Sequence, residues 1–128
     1  MSQAPAPITV LTVDDDASAR QSARGLIAAL PGFTSVGEVA SGEEAIEALV
    51  ELGPDLVLVD ADMPGLDGYE TSRRLVAARP RTTVIVVHLN DEAPAADALK
   101  AAGAATGFPK AALTPSALQG LWRDHGTG

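Results

Sequence analysis

Five short apolar runs alternate with five longer segments of helical periodicity, and this alternation limits the folds open to the chain. The pattern predicts strands at 8–13, 33–39, 55–59, 83–87 and 105–109. It predicts helices at 17–30, from Ser41 to about 52, from about 66 to 78, at 93–102, and from Thr114 to about 125. Strands that alternate with helices form a parallel sheet covered by helices on both faces. The chain is therefore predicted to be a (βα)5 protein of the α/β class.

The composition of the strands indicates their order in the sheet. The first, third and fourth runs are almost entirely apolar, as expected for central strands that are covered on both faces. The second and fifth runs contain glycine, proline or polar residues and suit the two edges. This distribution fits the order 2-1-3-4-5 of a doubly wound, flavodoxin-like fold. In such sheets ligands bind at the carboxyl ends of the strands.

The length and composition fit one globular domain. The chain has 128 residues, of which 46% are hydrophobic and 20% are charged, and this is enough to bury a single core. The first residues are rich in proline and alanine. We expect residues 1–7 to be disordered, residues 8–125 to form the domain and residues 126–128 to be a tail.

The charge and the missing residue types exclude several functions. A formal net charge of -8 argues against direct nucleic-acid binding, which usually needs a basic face. The absence of cysteine excludes disulfides, thiolate metal sites and cysteine nucleophiles. The start of the chain lacks a signal-peptide pattern, and no run approaches the roughly 20 apolar residues of a membrane span. We therefore expect a cytoplasmic protein that makes no membrane contact.

Charged residues follow the strands at the edge of the sheet where ligands are expected. The acidic run 14–16 follows the first strand, Asp60 the third, His88 the fourth, and Lys110 lies near the end of the fifth. Carboxylates about 4 Å apart repel by about 4 kcal/mol at an effective dielectric constant of 20, so such a group needs a cation or a proton. Oxygen ligands with room for water suit Mg²⁺. The alternative interpretation of the run 14–16 is a helix cap with an acidic first turn.

The motifs at these strand ends resemble those of the receiver domain of two-component response regulators, over Ile8 to about His125. The segment VDDD resembles the acidic pair of that family, here Asp14 and Asp15, and DADMPGLDGYE resembles its phosphoacceptor loop. The segments VGEVASGEEAIEAL and KAALTPSALQGLW are similar to the subgroup that often precedes a helix-turn-helix output domain.

The resemblance implies a role in a phosphorelay rather than an enzyme that acts on other molecules. Asp60 would accept the phosphoryl group, and Lys110 would stabilise its charge. The ligands of Mg²⁺ would be Asp15, Asp60 and the backbone carbonyl of Asp62, with Asp14 acting through water. The implied partners are a sensor histidine kinase or phosphotransfer protein, a downstream output domain or protein, and a second copy of the chain on phosphorylation.

Three positions depart from the family pattern. His88 stands where the family usually has Ser or Thr, and we interpret it as filling the end of the strand rather than as a phosphoryl contact. Gly107 stands at the aromatic switch position, and Phe108 should point to the other face of the sheet. Pro109 precedes Lys110, whereas the family usually has proline after the lysine, often across a cis bond. We therefore predict that phosphorylation is retained and that the relay to the output face is altered.

Two other functions fit parts of the sequence. The stretch LVLVDADMP also matches hhhhDxD, the opening of haloacid-dehalogenase-type phosphotransferases, which would make the protein an enzyme with Asp60 as its nucleophile. That motif usually lies near the N-terminus, whereas nearly half of this chain precedes Asp60. The other alternative is a receiver-like module that interacts without phosphorylation, which His88 and Gly107 favour.

Overall fold

The computed structural model describes residues 6–89 and 94–126 and contains a five-stranded parallel sheet. The strands are β1 (Ile8–Val13), β2 (Phe33–Val39), β3 (Leu56–Asp60), β4 (Thr83–His88) and β5 (Thr106–Pro109). The helices are α1 (Ala17–Ala28), α2 (Gly42–Leu52), α3 (Gly68–Ala78), α4 (Ala96–Ala101) and α5 (Pro115–His125). The strand order is β2-β1-β3-β4-β5, so the predicted doubly wound fold is confirmed.

The burial of the strands follows their apolar content. Every residue of β3 and β4 is buried, whereas all of β2 is half-buried and β5 ends in an exposed residue. The carboxyl ends of the central strands are level, because Val13 is paired with Val59, and Asp60 with Val87. This register brings the residues that follow β1 and β3 to the same edge of the sheet.

Two apolar layers hold the helices against the sheet. One layer lies under α2 and α3 and includes Leu49 and Leu75, and the other lies under α1 and α5 and includes Ile27 and Leu118. Burying each such side chain stabilises the fold by about 1.5–3 kcal/mol. Phe108 packs against the layer under α1 and α5, which confirms the face predicted for it.

Side-chain caps begin four of the five helices, and α4 has none. Ser41 accepts the backbone N–H of Glu44 at the start of α2, and Thr114 accepts that of Ala117 at the start of α5, as the sequence predicted. The α3 helix begins at Gly68 rather than at about 66, because the side chain of Asp67 accepts a backbone N–H from the first turn and caps the helix there.

The remaining boundaries differ by a few residues. The α1 helix ends at Ala28 rather than at 30, and α4 begins at Ala96 rather than at 93. Residue 93 itself, residues 1–5 of the expected disordered segment, and residues 127–128 of the expected tail lie outside the described residues. Over the two described ranges, no helix is long and apolar enough to cross a membrane.

Candidate functional site

Three carboxylates meet where β1 and β3 end. Asp14 follows β1, Asp15 comes next, and Asp60 is the last residue of β3. One oxygen from each carboxylate lies within 4.8 Å of the others. Asp14 and Asp60 are each 3% exposed, whereas Asp15 is open to solvent. Two of the three negative charges are therefore largely removed from water.

Lys110 supplies the positive charge of this site. It opens a short 3-10 turn at Lys110–Ala112 that directly follows β5. Its ammonium forms an ion pair with Asp14 Oδ2 and lies 3.7 Å from Asp60 Oδ1. Burial lowers the pKa of Lys110, but the hydrogen bond to Asp14 and the charge of Asp60 outweigh burial, so the pKa is raised. We call Asp14, Asp15, Asp60 and Lys110 the acid pocket.

Asp60 is the least compensated residue of the acid pocket. Its Oδ1 accepts no hydrogen bond from any residue that the structure describes. Burial raises the pKa of the Asp60 carboxyl to about 6, and the charges of Asp14 and Asp15 act in the same direction. Lys110 and the backbone N–H of Asp62 oppose this shift without cancelling it. The ionised carboxylate therefore needs a further positive partner at neutral pH.

The donor set of the acid pocket fits a hard divalent cation. Three carboxylates and one ammonium leave a net charge of -2 at this edge, and Mg²⁺ prefers oxygen ligands with room for water. The buried oxygen of Asp60 that lacks a hydrogen bond is free to become a ligand. The side chain of Asp62 is exposed, and a metal bond from its backbone carbonyl stays a prediction.

The loop after β3 packs tightly against the backbone of Asp60. The N–H of Gly68 donates to the carbonyl of Ala61 at 3.0 Å. A Cβ on Gly68 would lie 2.3 Å from the carbonyl oxygen of Asp60, so this position has no room for a side chain. Gly65 adopts a left-handed φ of 76°. These two glycines explain why a sharp turn follows directly after the apolar run that ends at Asp60.

The acidic run 14–16 is divided between the pocket and a helix cap. Asp16 Oδ1 accepts the backbone N–H of Ser18 at 3.1 Å and caps α1. The backbone N–H of Asp16 in turn donates to Asp14 Oδ1 at 2.9 Å. The helix-cap interpretation therefore describes Asp16, whereas Asp14 and Asp15 lie in the acid pocket.

Sequence reasoning missed one residue that holds this loop. The guanidinium of Arg20 donates a hydrogen bond to the backbone carbonyl of Asp14 at 2.7 Å. Arg20 lies in the second turn of α1 and thereby ties the helix to the β1–α1 loop. Only its spacing of six residues from Asp14 could have indicated the contact, and that spacing is not distinctive.

His88 lies at the same edge of the sheet. It is 5% exposed, ends β4, and is paired with Pro109, the residue before Lys110. Alternation along β4 places its side chain on the face of Val86, away from the layer under α1 and α5. Within 6–89 and 94–126 every peptide bond is trans, including the one that follows Lys110.

Gly107 lies beneath the start of α4. A Cβ at this position would lie 3.1 Å from Pro94 Cγ and 3.5 Å from Leu99 Cδ1. The space next to Gly107 is thus taken by Pro94 and Leu99. We call the packing of these two residues on Gly107 the α4–β5 contact.

Known proteins are similar to this chain in sequence. The sequence profile of the response regulator receiver domain matches residues 10–119. The chain is 40% identical over 105 residues to protein-glutamate methylesterase/protein-glutamine glutaminase 4 of Geobacter metallireducens, covering 80% of this chain and 30% of that protein. It is 37% identical over 114 residues to response regulator GacA of Pseudomonas viridiflava, covering 89% of this chain and 53% of GacA. The chain thus spans about half or less of these relatives.

A solved structure has the same architecture. The response regulator domain of Thermotoga maritima CheB matches with a TM-score of 0.76 and 32% sequence identity, covering 93% of this chain and 96% of that domain. The sequence profile covers most of the chain, and the solved domain matches nearly all of it in structure. The chain belongs to the response regulator receiver domain family of two-component systems.

Proposed function

We propose that this receiver domain accepts a phosphoryl group on Asp60 in a reaction that depends on Mg²⁺. The observation that carries the proposal is the environment of Asp60. Its carboxylate is buried, lies within 4.8 Å of two other carboxylates, and has the Lys110 ammonium at 3.7 Å. A carboxylate that is ionised but incompletely paired is suited to act as a nucleophile.

Each residue of the acid pocket would have its own role in phosphoryl transfer. An Asp60 oxygen would attack the phosphorus of a phosphohistidine, and the phosphorus–nitrogen bond would break with its electron pair passing to the donor imidazole. The product is an aspartyl phosphate. Lys110 would turn from Asp14 towards an oxygen of a phosphoryl group on Asp60, because its ammonium already lies 3.7 Å from Asp60 Oδ1. We assign no step to His88 and interpret it as filling the end of β4.

The metal ligands proposed are Asp14, Asp15, Asp60 and the backbone carbonyl of Asp62, with Asp14 acting through water. A bound Mg²⁺ would neutralise charge on the transferring phosphoryl group. Arg20 would fix the backbone of the β1–α1 loop through its bond to the Asp14 carbonyl. Asp16 would stay in its role as the cap of α1.

The proposal also covers the partners and the extent of the domain. The phosphoryl donor would be a sensor histidine kinase or a phosphotransfer protein, and the target would be an output domain, another protein or a second copy of the chain. We place the functional domain at residues 8–125, in the cytoplasm, and propose that it binds neither nucleic acid nor membrane itself. Its only chemistry would be its own phosphorylation and dephosphorylation.

The test is phosphoryl uptake by the purified chain. Wild type is incubated with acetyl phosphate and Mg²⁺, and intact mass spectrometry should show one added phosphoryl group. Asp60→Asn should show none, and excess EDTA should suppress uptake by wild type. Asp97→Asn, which alters an exposed carboxylate on α4, serves as the control and should behave as wild type. Uptake that persists in Asp60→Asn would contradict the assignment of the acceptor.

A phosphorylation-independent interaction module is the second candidate, and the α4–β5 contact favours it. With Pro94 and Leu99 packed on Gly107, no aromatic side chain at that position can report the state of Asp60. Absence of uptake by well-folded wild type would favour this candidate. The haloacid-dehalogenase alternative is set aside, because the chain belongs to the receiver family.

A further inference from the structure

The backbone of Asp14 is held on both sides by contacts from two other elements. Its N–H donates to the carbonyl of Val39, the last residue of β2, at 3.1 Å. Its carbonyl accepts a hydrogen bond from the guanidinium of Arg20 on α1 at 2.7 Å. Because a peptide unit is planar, holding the units on both sides of Asp14 fixes the two backbone dihedrals between them. The direction in which its side chain leaves the backbone is thereby fixed as well.

The contact from Arg20 bears on two carboxylates of the acid pocket. The peptide unit whose carbonyl it binds joins Asp14 to Asp15, so a rotation of that unit would move both residues. Asp15 is exposed, so its backbone rather than packing places its side chain. The carboxylate oxygens of Asp14, Asp15 and Asp60 now lie within 4.8 Å of one another. This arrangement therefore depends on the carbonyl that Arg20 holds.

Arg20 is well placed to hold that carbonyl. Its own backbone N–H donates to the carbonyl of Asp16 at 3.1 Å, so its side chain starts from a formed turn of α1. The side chain is half-buried, and a hydrogen bond with one charged partner is about twice as strong as a neutral one. The contact thus ties the β1–α1 loop to a rigid element.

The charge of Arg20 and its contact have opposite effects on a bound cation. A guanidinium beside the acid pocket repels Mg²⁺, because like charges repel at short distance. Charge alone therefore predicts that Mg²⁺ binds more tightly when a neutral residue replaces Arg20. Positioning predicts the reverse, because the carboxylates would lose their fixed arrangement. The direction of the change in affinity thus shows which effect is larger.

A neighbouring arginine offers a comparison at equal charge. Arg24 lies one turn further along α1, its side chain is 59% exposed, and it forms an ion pair with Glu38. Within the described ranges its hydrogen bonds go to Glu38 alone. The pKa of Glu38 is lowered by its hydrogen bond with Arg24 and, although burial opposes this, by the charges of Arg24 and Arg20. Both guanidiniums therefore lie near β2, but Arg20 is the one that binds the Asp14 carbonyl.

We propose that Arg20 is a positioning residue that raises the affinity of the acid pocket for Mg²⁺. It would act through the Asp14 carbonyl by holding Asp14 and Asp15 in their present arrangement, and this gain would outweigh the repulsion between the guanidinium and the cation. The inference rests on the proposed function, because it concerns the metal site of that proposal. It is tested on the unphosphorylated chain, with Mg²⁺ alone and no phosphodonor.

The experiment is an NMR titration of the full chain with Mg²⁺, followed at the resonances of Asp14, Asp15 and Asp60. Arg20→Met lacks both donor and charge and should bind Mg²⁺ about tenfold more weakly than wild type, at the lower end of the effects of residues that orient metal ligands. Arg20→Lys restores a charged donor and should bind more tightly than Arg20→Met. Arg24→Met removes the same charge from α1 and should bind no more weakly than wild type.

Three results would overturn the inference while wild type still binds Mg²⁺ and takes up a phosphoryl group. They are equal or tighter binding by folded Arg20→Met, an equal loss in Arg24→Met, and no recovery in Arg20→Lys. A role of Arg20 in stability alone gives the first result, because the affinity of the folded variant would not change. If Arg20→Met does not fold, Arg20→Gln takes its place with the same expected loss. A wild type that binds no Mg²⁺ would overturn both the inference and the metal dependence of the proposed function.

Discussion

The acid pocket and the α4–β5 contact lie on different sides of the sheet and depend on different interactions, namely charge in the first and apolar packing in the second. In the acid pocket, buried carboxylates are held close together with a single ammonium, and Asp60 keeps an oxygen without a hydrogen bond from the described chain. In the α4–β5 contact, Pro94 and Leu99 pack on Gly107 with no charge involved. The first region is electrostatically strained, whereas the second is only closely packed.

Under the proposed function, this difference would separate the chemistry of the domain from the transmission of its signal. Asp14, Asp15, Asp60 and Lys110 lie together at one edge of the sheet, whereas His88 stands at the position of the family's usual Ser or Thr. The position that usually carries an aromatic switch holds Gly107, and its space is already occupied by α4. Variants of the acid pocket should therefore change both chemistry and stability, whereas variants of the α4–β5 contact should change stability alone.

The largest effect is expected at the tight turn behind Asp60. Gly68→Ala should lower the free energy of unfolding by about 3 kcal/mol, because its Cβ would lie 2.3 Å from a backbone oxygen that cannot move away freely. The measurement is urea-induced unfolding. Gly25→Ala on α1, where a Cβ would meet no described atom within 4 Å, is the matched control. It should stabilise the chain by about 0.5–1 kcal/mol. If Gly68→Ala lowers the free energy of unfolding by no more than an ordinary surface substitution does, the close approach of Gly68 to the Asp60 carbonyl is contradicted.

The strain of the acid pocket should appear as a dependence of stability on pH. The pKa of Asp60 rises from 3.8 to about 6 on folding, so the folded state binds a proton more tightly than the unfolded state. The stability contributed by this proton is complete below pH 3.8 and is lost as the pH rises through about 6. In EDTA, Asp60→Asn should therefore raise the free energy of unfolding by about 2–3 kcal/mol at pH 7.5.

The control for this pH experiment is again Asp97→Asn, which removes the same formal charge from an exposed position. At pH 7.5 it should alter the free energy of unfolding by no more than about 0.5 kcal/mol, as an ordinary surface substitution does. The gain from Asp60→Asn should shrink towards pH 4, where the wild-type carboxyl is protonated in the folded state. Equal gains at both pH values would show that the burial of Asp60 carries no electrostatic strain.

The strand order and the location of the acid pocket followed from the sequence because both rest on strong local patterns. Apolar content distinguishes the buried β3 and β4 from the half-buried β2. The polar residues directly after such strands must lie at one edge of a parallel sheet. Asp60 and Lys110 could be assigned to that edge without knowledge of any contact between them.

Other features could not be read from the sequence because they depend on backbone turns. Asp14 and Asp16 are chemically identical and two residues apart, yet the turn directs one into the pocket and the other onto the α1 cap. The α3 helix begins at Gly68 rather than at the predicted position near 66, because the side chain of Asp67 caps it. Thr12 looked like one more residue of an apolar strand, and only the structure shows that its buried hydroxyl has no hydrogen-bond partner among the described residues.

A smaller effect is expected where α3 holds α4. The hydroxyl of Ser72 donates to the backbone carbonyl of Ala102 at 2.8 Å, and both residues are buried. Ser72→Ala should lower the free energy of unfolding by about 1–2 kcal/mol, the usual cost of one buried hydrogen bond. Phosphoryl uptake at Asp60 should be unchanged. Ser116→Ala, an exposed residue of α5, is the control and should alter stability by no more than about 0.5 kcal/mol.

The smallest effect is expected at Gly107, and it tests the separation of the two regions most directly. Gly107→Ala places a Cβ 3.1 and 3.2 Å from the ring of Pro94, so the segment that leads into α4 must move by a few tenths of an ångström. Alanine also lowers the conformational entropy of the unfolded chain, and this offsets part of the cost in stability. The free energy of unfolding should change by less than about 1 kcal/mol.

The matched control for Gly107 is Gly37→Ala on β2, where the Cβ would meet Leu52 Cδ1 at 3.1 Å. The end of a leucine side chain moves more easily than a proline ring, so Gly37→Ala should be the better tolerated of the two. Both variants should take up the phosphoryl group from acetyl phosphate at the wild-type rate. A slower rate in Gly107→Ala alone would mean that the α4–β5 contact acts on Asp60, and the chemistry and the transmission of the signal would then be coupled through β5.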